Sequence, residues 1–98
     1  MCDEVTQFLK EQAKASQSIT RLILFGSRAR GDSHLRSDYD IAVDAPGLSD
    51  FEWSQWALEI RDKAPTLCGI DLVWIKPTLS ESLRSAIASE GKIFYERK

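Results

Sequence analysis

The sequence predicts an α+β (α/β) protein in which helices flank a small mixed β-sheet. Stretches with the apolar spacing of a helix alternate with short runs of β-branched and aromatic residues, and glycine or proline separates most of them. The predicted order is helix, strand, turn, strand, helix, strand, helix, strand. The chain has 98 residues, which is room for one domain of ordinary size, so we expect a single domain over residues 1–98.

The composition is that of an ordinary globular chain. Hydrophobic residues make up 43% and charged residues 29%, which excludes a disordered or collagen-like chain. Every apolar run is far shorter than the roughly 20 residues that cross a bilayer, and the acidic start is unlike a signal peptide. We therefore expect a cytoplasmic protein without membrane contact. The formal net charge of −2 argues against stable direct nucleic-acid binding, which needs a basic excess.

The first half of the chain predicts one helix and two strands. An amphipathic helix is predicted over residues 3–16, where apolar residues recur at i, i+3, i+4 and i+8. Ile19–Phe25 is apolar and β-branched, as in a buried strand, and this strand stops at Gly26. The polar residues 28–37 are expected to hold one short helical turn and a loop. Tyr39–Val43 predicts the second strand.

A helix and a third strand are predicted next. Ser49 and Glu52 have the spacing of a capping box, which starts a helix that ends at Pro65. The apolar stripe of this helix consists of Trp53, Trp56, Ala57, Ile60 and Ala64. Gly69–Ile75 then predicts the third strand.

The end of the chain predicts a last helix and a short strand. Thr78 and Glu81 have capping-box spacing, and Gly91 lies at the expected C-terminal end of the helix. The residues expected to face inward are Leu79, Leu83, Ala86 and Ile87. Ile93–Tyr95 can add a short edge strand.

Gly26 and Ser27 form a candidate phosphate site where the first strand meets the following turn. Glycine lets the backbone approach a ligand closely, and the N–H groups that follow can bind phosphate together with the Ser27 hydroxyl. A plain tight turn is the alternative interpretation of the same two residues.

Asp38 and Asp40 lie two residues apart at the start of the second strand. Because side chains alternate along a strand, both carboxylates point to one face, while Tyr39 and Ile41 point to the other. Neighbouring carboxylates repel unless a cation lies between them, and Mg²⁺ commonly takes one or two carboxylates plus substrate phosphates. The alternative is a solvated turn with an Asx hydrogen bond.

Asp71 is the only charged residue in Gly69–Ile75. We expect the strand to bury this carboxylate, which then needs a cation or hydrogen-bond donors. If the second and third strands are neighbours, Asp71 joins Asp38 and Asp40 at one end of the sheet and favours a three-carboxylate metal site. A structural salt bridge to an arginine is the alternative.

Other side chains have weaker interpretations. The basic residues after Ser27 could bind phosphate or simply be solvated; they are Arg28, Arg30 and Arg36. His34 lies in the same polar stretch and is more typical of a solvated residue than of a catalytic one. The three tryptophans have the spacing of core residues, although a base-stacking or partner-binding surface is also open.

Two motifs resemble the signature of the DNA-polymerase-β-like nucleotidyltransferases. Residues 24–31 read Leu-Phe-Gly-Ser-Arg-Ala-Arg-Gly, and residues 37–41 read Ser-Asp-Tyr-Asp-Ile. In that family Gly-Ser is followed at fixed spacing by Asp-x-Asp, with a third Asp on a later strand. The short length, the Gly-Ser-Arg-Ala-Arg-Gly form and the ending over residues 90–96 resemble the minimal nucleotidyltransferases (MNT proteins). The resemblance implies the polymerase-β-like nucleotidyltransferase fold.

The resemblance also implies roles for the matching residues. Gly26 and Ser27 are expected to hold the triphosphate of ATP. Arg28 and Arg30, in the basic turn beside them, are further candidates for nucleotide binding. Asp38 and Asp40 are expected to bind two Mg²⁺ ions, and Asp71 to complete the metal site beside the attacking hydroxyl. Such a site supports two-metal nucleotidyl transfer, with one ion at the nucleophile and the other at the leaving pyrophosphate.

A partner is implied as well, because MNT proteins are paired with HEPN-domain toxins. The expected function is an antitoxin of a type VII-like HEPN/MNT system, which transfers AMP from ATP to a tyrosine of its HEPN ribonuclease and silences it. Two alternatives are a non-catalytic antitoxin that masks the toxin and a small-molecule nucleotidyltransferase of the aminoglycoside-modifying sort. The three carboxylates argue against the first, and the expectation of one domain argues against the second.

Overall fold

A computed structural model describes residues 4–31, 37–66 and 68–97, so the predictions for His34 and Arg36 lie outside the described residues. The elements alternate as predicted, which confirms the α+β class. They are α1 (Glu4–Ala15), β1 (Arg21–Phe25), α2 (Ser27–Arg30), β2 (Tyr39–Asp44), α3 (Asp50–Lys63), β3 (Ile70–Trp74), α4 (Glu81–Glu90) and β4 (Lys92–Glu96). No helix in these described ranges is long and apolar enough to cross a membrane.

The described strands form one mixed sheet in the order β3-β2-β1-β4. β1 pairs antiparallel with both β2 and β4, whereas β2 and β3 run parallel. Parallel neighbours need a crossover connection, and α3 provides it. The predicted edge strand at Ile93–Tyr95 is confirmed as part of β4.

The two faces of the sheet are covered unequally. On one face α1 and α3 pack over the main core, in which Leu9, Ile41 and Ile60 are fully buried. On the other face α4 packs over a smaller cluster that includes Phe25 and Ala42. No residue of α4 is itself fully buried, so this second face is the more open one.

Side-chain alternation places the candidate aspartates on the α4 face. The main core takes alternate residues of β2 and β3, namely Tyr39, Ile41, Val43, Ile70 and Leu72. The residues between them, which include Asp40 and Asp71, point the other way. The predicted division between the Asp40 face and the face of Tyr39 and Ile41 is therefore confirmed.

The capping predictions were correct for α3 and wrong for α4. Ser49 Oγ accepts from Glu52 N–H at 3.2 Å and Glu52 Oε1 accepts from Ser49 N–H at 3.0 Å, which completes the predicted capping box. The cap of α4 is Ser80, whose hydroxyl accepts from Leu83 N–H at 3.3 Å. Thr78 lies too early to cap this helix, because Pro77 and Thr78 form a turn that Leu79 N–H closes on the Lys76 carbonyl at 3.0 Å.

Gly91 ends α4 as predicted, although its backbone is extended (φ −65°, ψ 140°) and not left-handed. The glycine is required by close packing, since a Cβ there would collide with the Ile87 carbonyl and lie 2.7 Å from Ile23 Cγ2. The C-terminal end of α4 therefore sits directly on β1.

Candidate active site

Gly26 and Ser27 lie between the end of β1 and the single turn of α2. Gly26 has φ +78°, a conformation that favours glycine, and a Cβ there would collide with the Asp40 carboxylate. The Gly26 carbonyl accepts from the N–H groups of Ala29 and Arg30 at 3.1 and 3.0 Å, which closes the turn. Within the described ranges the Ser27 N–H and hydroxyl have no hydrogen-bond partner, so both donors are available to a ligand.

The three predicted aspartates lie at the end of the sheet where β2 and β3 begin. Asp40 and Asp71 are register partners on these neighbouring parallel strands. Asp38 comes immediately before β2, and its Oδ1 accepts from Gly69 N–H at 3.1 Å. Because Gly69 lacks a Cβ, this carboxylate can lie against the backbone; an added Cβ would be 2.8 Å from Asp38 Oδ1.

Gly26, Ser27, Asp38, Asp40 and Asp71 form one corner of the sheet. Several charged side chains lie close to Asp40 in this corner. Burial raises the pKa of Asp40, and the negative charges of Asp71 and Asp38 raise it further. Arg30 lowers the pKa of Asp40, whereas Glu90 raises it. A cation beside Asp40 would relieve this repulsion.

Asp71 is exposed, so the expectation that its strand buries it was wrong. Its neighbours Ile70 and Leu72 fill the main core, and Asp71 lies on the face that α4 covers sparsely. The described residues offer it no ion pair, so the predicted alternative of a structural salt bridge has no support in them.

The donor set fits a hard divalent cation that is completed by a ligand from outside the chain. Among the described residues, no group of three or more carboxylate, histidine or cysteine side chains is arranged to hold an ion. Mg²⁺ needs no such protein cage, since it is usually bound by one or two carboxylates together with substrate phosphates. Asp40, with Asp38 and Asp71 nearby and the donors of Ser27 across the turn, matches that pattern.

The two described arginines of the predicted phosphate site have different surroundings. Arg28 donates twice to the Ser37 carbonyl, at 3.0 and 2.9 Å, and its guanidinium lies 3.9 Å from the centre of the Tyr39 ring. Arg30 instead pairs with Glu90 at 3.1 Å, beside the aspartates. Arg28 therefore holds the backbone at Ser37, before β2. Arg30 is the arginine whose charge acts on Asp40.

Two residues of this corner were missed by sequence reasoning. Gly69 appeared as the first residue of a strand, and nothing in the sequence signals its contact with Asp38. Glu90 accepts from Gly26 N–H at 3.2 Å across 64 positions of sequence. Its one local signal is an acidic residue at a helix C-terminus, where a basic residue is favoured.

Trp56 is a core residue, Trp53 and Trp74 are half-buried against the core, and all three lie apart from this corner. Trp56 is buried, and Trp53 stacks on Trp74 with ring centroids 5.2 Å apart. Trp74 is the last residue of β3, whereas the aspartates lie where β3 begins. The core interpretation is confirmed, and these rings form no stacking platform at the aspartates.

Comparison with known proteins identifies the family. Residues 7–98 match the family model described as "Polymerase beta, Nucleotidyltransferase". The chain therefore belongs to the polymerase-β nucleotidyltransferase family, as its two motifs predicted. The comparison with curated proteins gave no significant match.

Solved structures share the fold. A toxin–antitoxin crystal structure with AMP-PNP superimposes with a TM-score of 0.74 at 23% identity, over 95% of this chain and 74% of the other. A tri-AMPylated Shewanella oneidensis HEPN toxin in complex with its MNT antitoxin gives 0.67 at 20%, over 94% and 70%. The toxin–antitoxin MntA–HepT gives 0.67 at 20%, with the same coverage. These likenesses confirm the nucleotidyltransferase fold.

Proposed function

We propose that the protein is a Mg²⁺-dependent protein adenylyltransferase and the antitoxin of a HEPN/MNT pair. It transfers AMP from ATP to a tyrosine of a HEPN ribonuclease and thereby neutralises it in the cytoplasm. The observation that carries the proposal is that Asp40, Asp71 and Asp38 meet at one end of the sheet. The Ser27 N–H and hydroxyl, which have no hydrogen-bond partner among the described residues, lie at the same end. Membership of the nucleotidyltransferase family supports the reaction type.

Each part of the site has one task in this proposal. Ser27 donates to the triphosphate, while Gly26 lets it approach the backbone and Arg30 adds positive charge. Asp38 and Asp40 hold the metal, which when bound neutralises phosphate charge and polarises the reacting oxygens. Asp71 is exposed beside Asp40, so an acceptor hydroxyl can reach it from solvent. Its carboxylate orients that hydroxyl and accepts its proton.

The proposed partner is supported by what the similar structures contain. The S. oneidensis complex pairs an MNT antitoxin with a HEPN toxin that carries AMP groups, and another similar structure holds AMP-PNP. This likeness favours a HEPN protein over a small molecule such as an aminoglycoside as the acceptor, and we propose that the modified residue is a tyrosine.

A labelling experiment tests the proposal. The protein, Mg²⁺ and a HEPN partner are incubated with ATP labelled at either the α- or the γ-phosphate, and the partner is analysed by mass spectrometry. We expect α-label on a tyrosine, a mass gain in whole AMP units, and no labelling in EDTA. Transfer of the γ-label would mean kinase activity and would contradict the proposal.

Two variants separate catalysis from masking. Asp38→Asn with Asp40→Asn should abolish transfer, and Asp71→Asn should lower it by at least about 10²-fold, the lower range for losing a general base. Asp62→Asn, at an exposed position of α3, is the matched control and should transfer normally. If the Asp38/Asp40 double variant protects cells from the toxin as well as the parent, the protein acts by masking.

A further inference from the structure

Arg28 contacts the residues on both sides of Asp38. Its Nε and Nη2 donate to the Ser37 carbonyl at 3.0 and 2.9 Å, and its guanidinium lies 3.9 Å from the centre of the Tyr39 ring. Ser37 and Tyr39 are the chain neighbours of Asp38, and Tyr39 is buried in the main core. One planar cation thus binds the backbone just before Asp38 and packs on the ring just after it.

Arg28 also reaches the segment that holds the Asp38 side chain. Its Nη2 lies 3.7 Å from Cys68 Sγ, and the next residue, Gly69, donates its N–H to Asp38 Oδ1 at 3.1 Å. The Tyr39 N–H in turn donates to the Gly69 carbonyl at 2.9 Å. The guanidinium therefore lies where the chain before β2 meets the chain before β3, and both chains fix the position of Asp38.

The charge of Arg28 and its contacts should act on cation binding in opposite directions. A positive charge near the aspartates repels a divalent cation. The contacts favour binding, because an aspartate that is already held in place loses less freedom when the cation binds. The sign of the change in affinity when the arginine is removed therefore distinguishes the two effects.

We propose that Arg28 is a positioning residue, which holds Asp38 in the place where this aspartate binds a divalent cation. Arg28 acts through the backbone and the ring on either side of Asp38 and is not itself a metal ligand. The inference rests on the proposed function, because it assumes that Asp38 and Asp40 bind the cation.

Binding of Mn²⁺ to the whole chain tests this role, measured by electron paramagnetic resonance without nucleotide. Arg28→Met removes the charge and both hydrogen bonds, whereas Arg28→Lys keeps the charge but loses the second hydrogen bond and the planar contact with the ring. We expect both variants to bind Mn²⁺ about tenfold more weakly, the lower end of the range for residues that support metal ligands. Tighter or parent-like binding of either variant overturns the inference, and it is also the result expected if Arg28 only contacts the triphosphate.

Two control variants exclude general effects of charge and of stability. Arg61→Met removes a positive charge from an exposed position of α3, beside a cavity that Gly69 also lines. Ser80→Ala removes the cap of α4. The first should bind Mn²⁺ like the parent or slightly more tightly, and the second like the parent. If either control binds as weakly as the Arg28 variants, the effect is not specific to Arg28 and the inference is overturned.

A measurement without metal tests whether Arg28 holds Asp38. The Gly69 N–H donates to the Asp38 carboxylate, so its hydrogen exchange, measured by nuclear magnetic resonance, reports on that contact. Exchange should be faster in Arg28→Met than in the parent and the two controls, and an unchanged rate overturns the inference. Melting temperatures verify that each variant folds; should Arg28→Met fail to fold, Arg28→Lys decides by the same two measurements.

The Mn²⁺ measurement also distinguishes failure of the proposed function. If the parent binds Mn²⁺ no better than the Asp38/Asp40 double variant, the cation site itself is wrong and the inference falls with it. If the parent binds better than the double variant but the Arg28 variants bind like the parent, the inference alone fails.

Discussion

Two aspartates of the site each lie against a glycine. The Asp40 carboxylate occupies the space that a Cβ of Gly26 would need, and Asp38 fills the corresponding space at Gly69. Both glycines also belong to segments whose N–H groups bind carboxylates of this corner. Glycine at these two positions therefore admits negative charge close to the backbone.

Gly26→Ala should remove nucleotidyl transfer and destabilise the fold. Alanine is strained at φ +78°, and its methyl group must displace the Asp40 carboxylate. Gly31→Ala is the matched control, because Gly31 has φ +86° but no atom of the described residues lies within 4 Å of the added Cβ. In the control, only backbone strain should lower the free energy of unfolding, by about 1–2 kcal/mol, and transfer activity should be kept.

Denaturant unfolding and the labelling assay measure the two effects side by side. Equal losses of stability with normal transfer in both variants would show that the close contact between Gly26 and the Asp40 carboxylate has no part in transfer.

At the scale of elements, the cap of α4 gives a direct test of the corrected helix start. Ser80→Ala removes the hydroxyl that accepts from Leu83 N–H and should lower the free energy of unfolding by about 1 kcal/mol. Thr78→Ala is the control and should change it by less than about 0.5 kcal/mol. If urea unfolding shows a larger loss of stability for Thr78→Ala than for Ser80→Ala, Thr78 is the cap.

The elements could be predicted from sequence because their signals are local. Helical spacing at α1, the capping box of α3 and the apolar runs of β1 and β2 each depend on residues close in the chain. The α4 cap was misplaced because threonine and serine are both capping residues, and only the turn at Pro77 and Thr78 decides in favour of Ser80.

The site could be predicted in its motif residues but not in its tertiary contacts. Strand alternation placed Asp38 and Asp40 on one face. Asp71 could be placed beside them only on the condition that β2 and β3 are neighbours, which the structure then showed. Its exposure depends on how much of the sheet α4 covers, which no local pattern encodes. Glu90 reaches Gly26 from 64 residues away, so its contact follows from the packing of α4.

At the scale of the whole molecule, Asp40 links folding stability to pH. Burial and the charges of Asp71 and Asp38 raise its pKa above the ordinary value of 3.8. The folded protein therefore holds this proton more tightly than the unfolded chain. The resulting stabilisation is fully present below pH 3.8 and is lost as the pH rises through the raised pKa.

Asp40→Asn should therefore raise the melting temperature of the metal-free protein at pH 7. The advantage over the parent should shrink as the pH falls toward 3.8, since the parent then carries a neutral Asp40 as well. Melting curves in EDTA across this range measure the difference, with Asp62→Asn as the exposed control. A difference that is independent of pH, or a less stable Asp40→Asn at pH 7, contradicts the expected electrostatic cost.

The alternation along β2 and β3 has a consequence for how the chain selects its own strand pairing. A slip of one residue in either strand exchanges the two faces of that strand. It would move Asp40 or Asp71 into the hydrocarbon core between the sheet and the helices α1 and α3, and it would turn Ile41 or Leu72 to the opposite face. Because a carboxylate in that interior is costly, the charges proposed to bind the cation also penalise every odd-numbered misalignment of the strands that carry them.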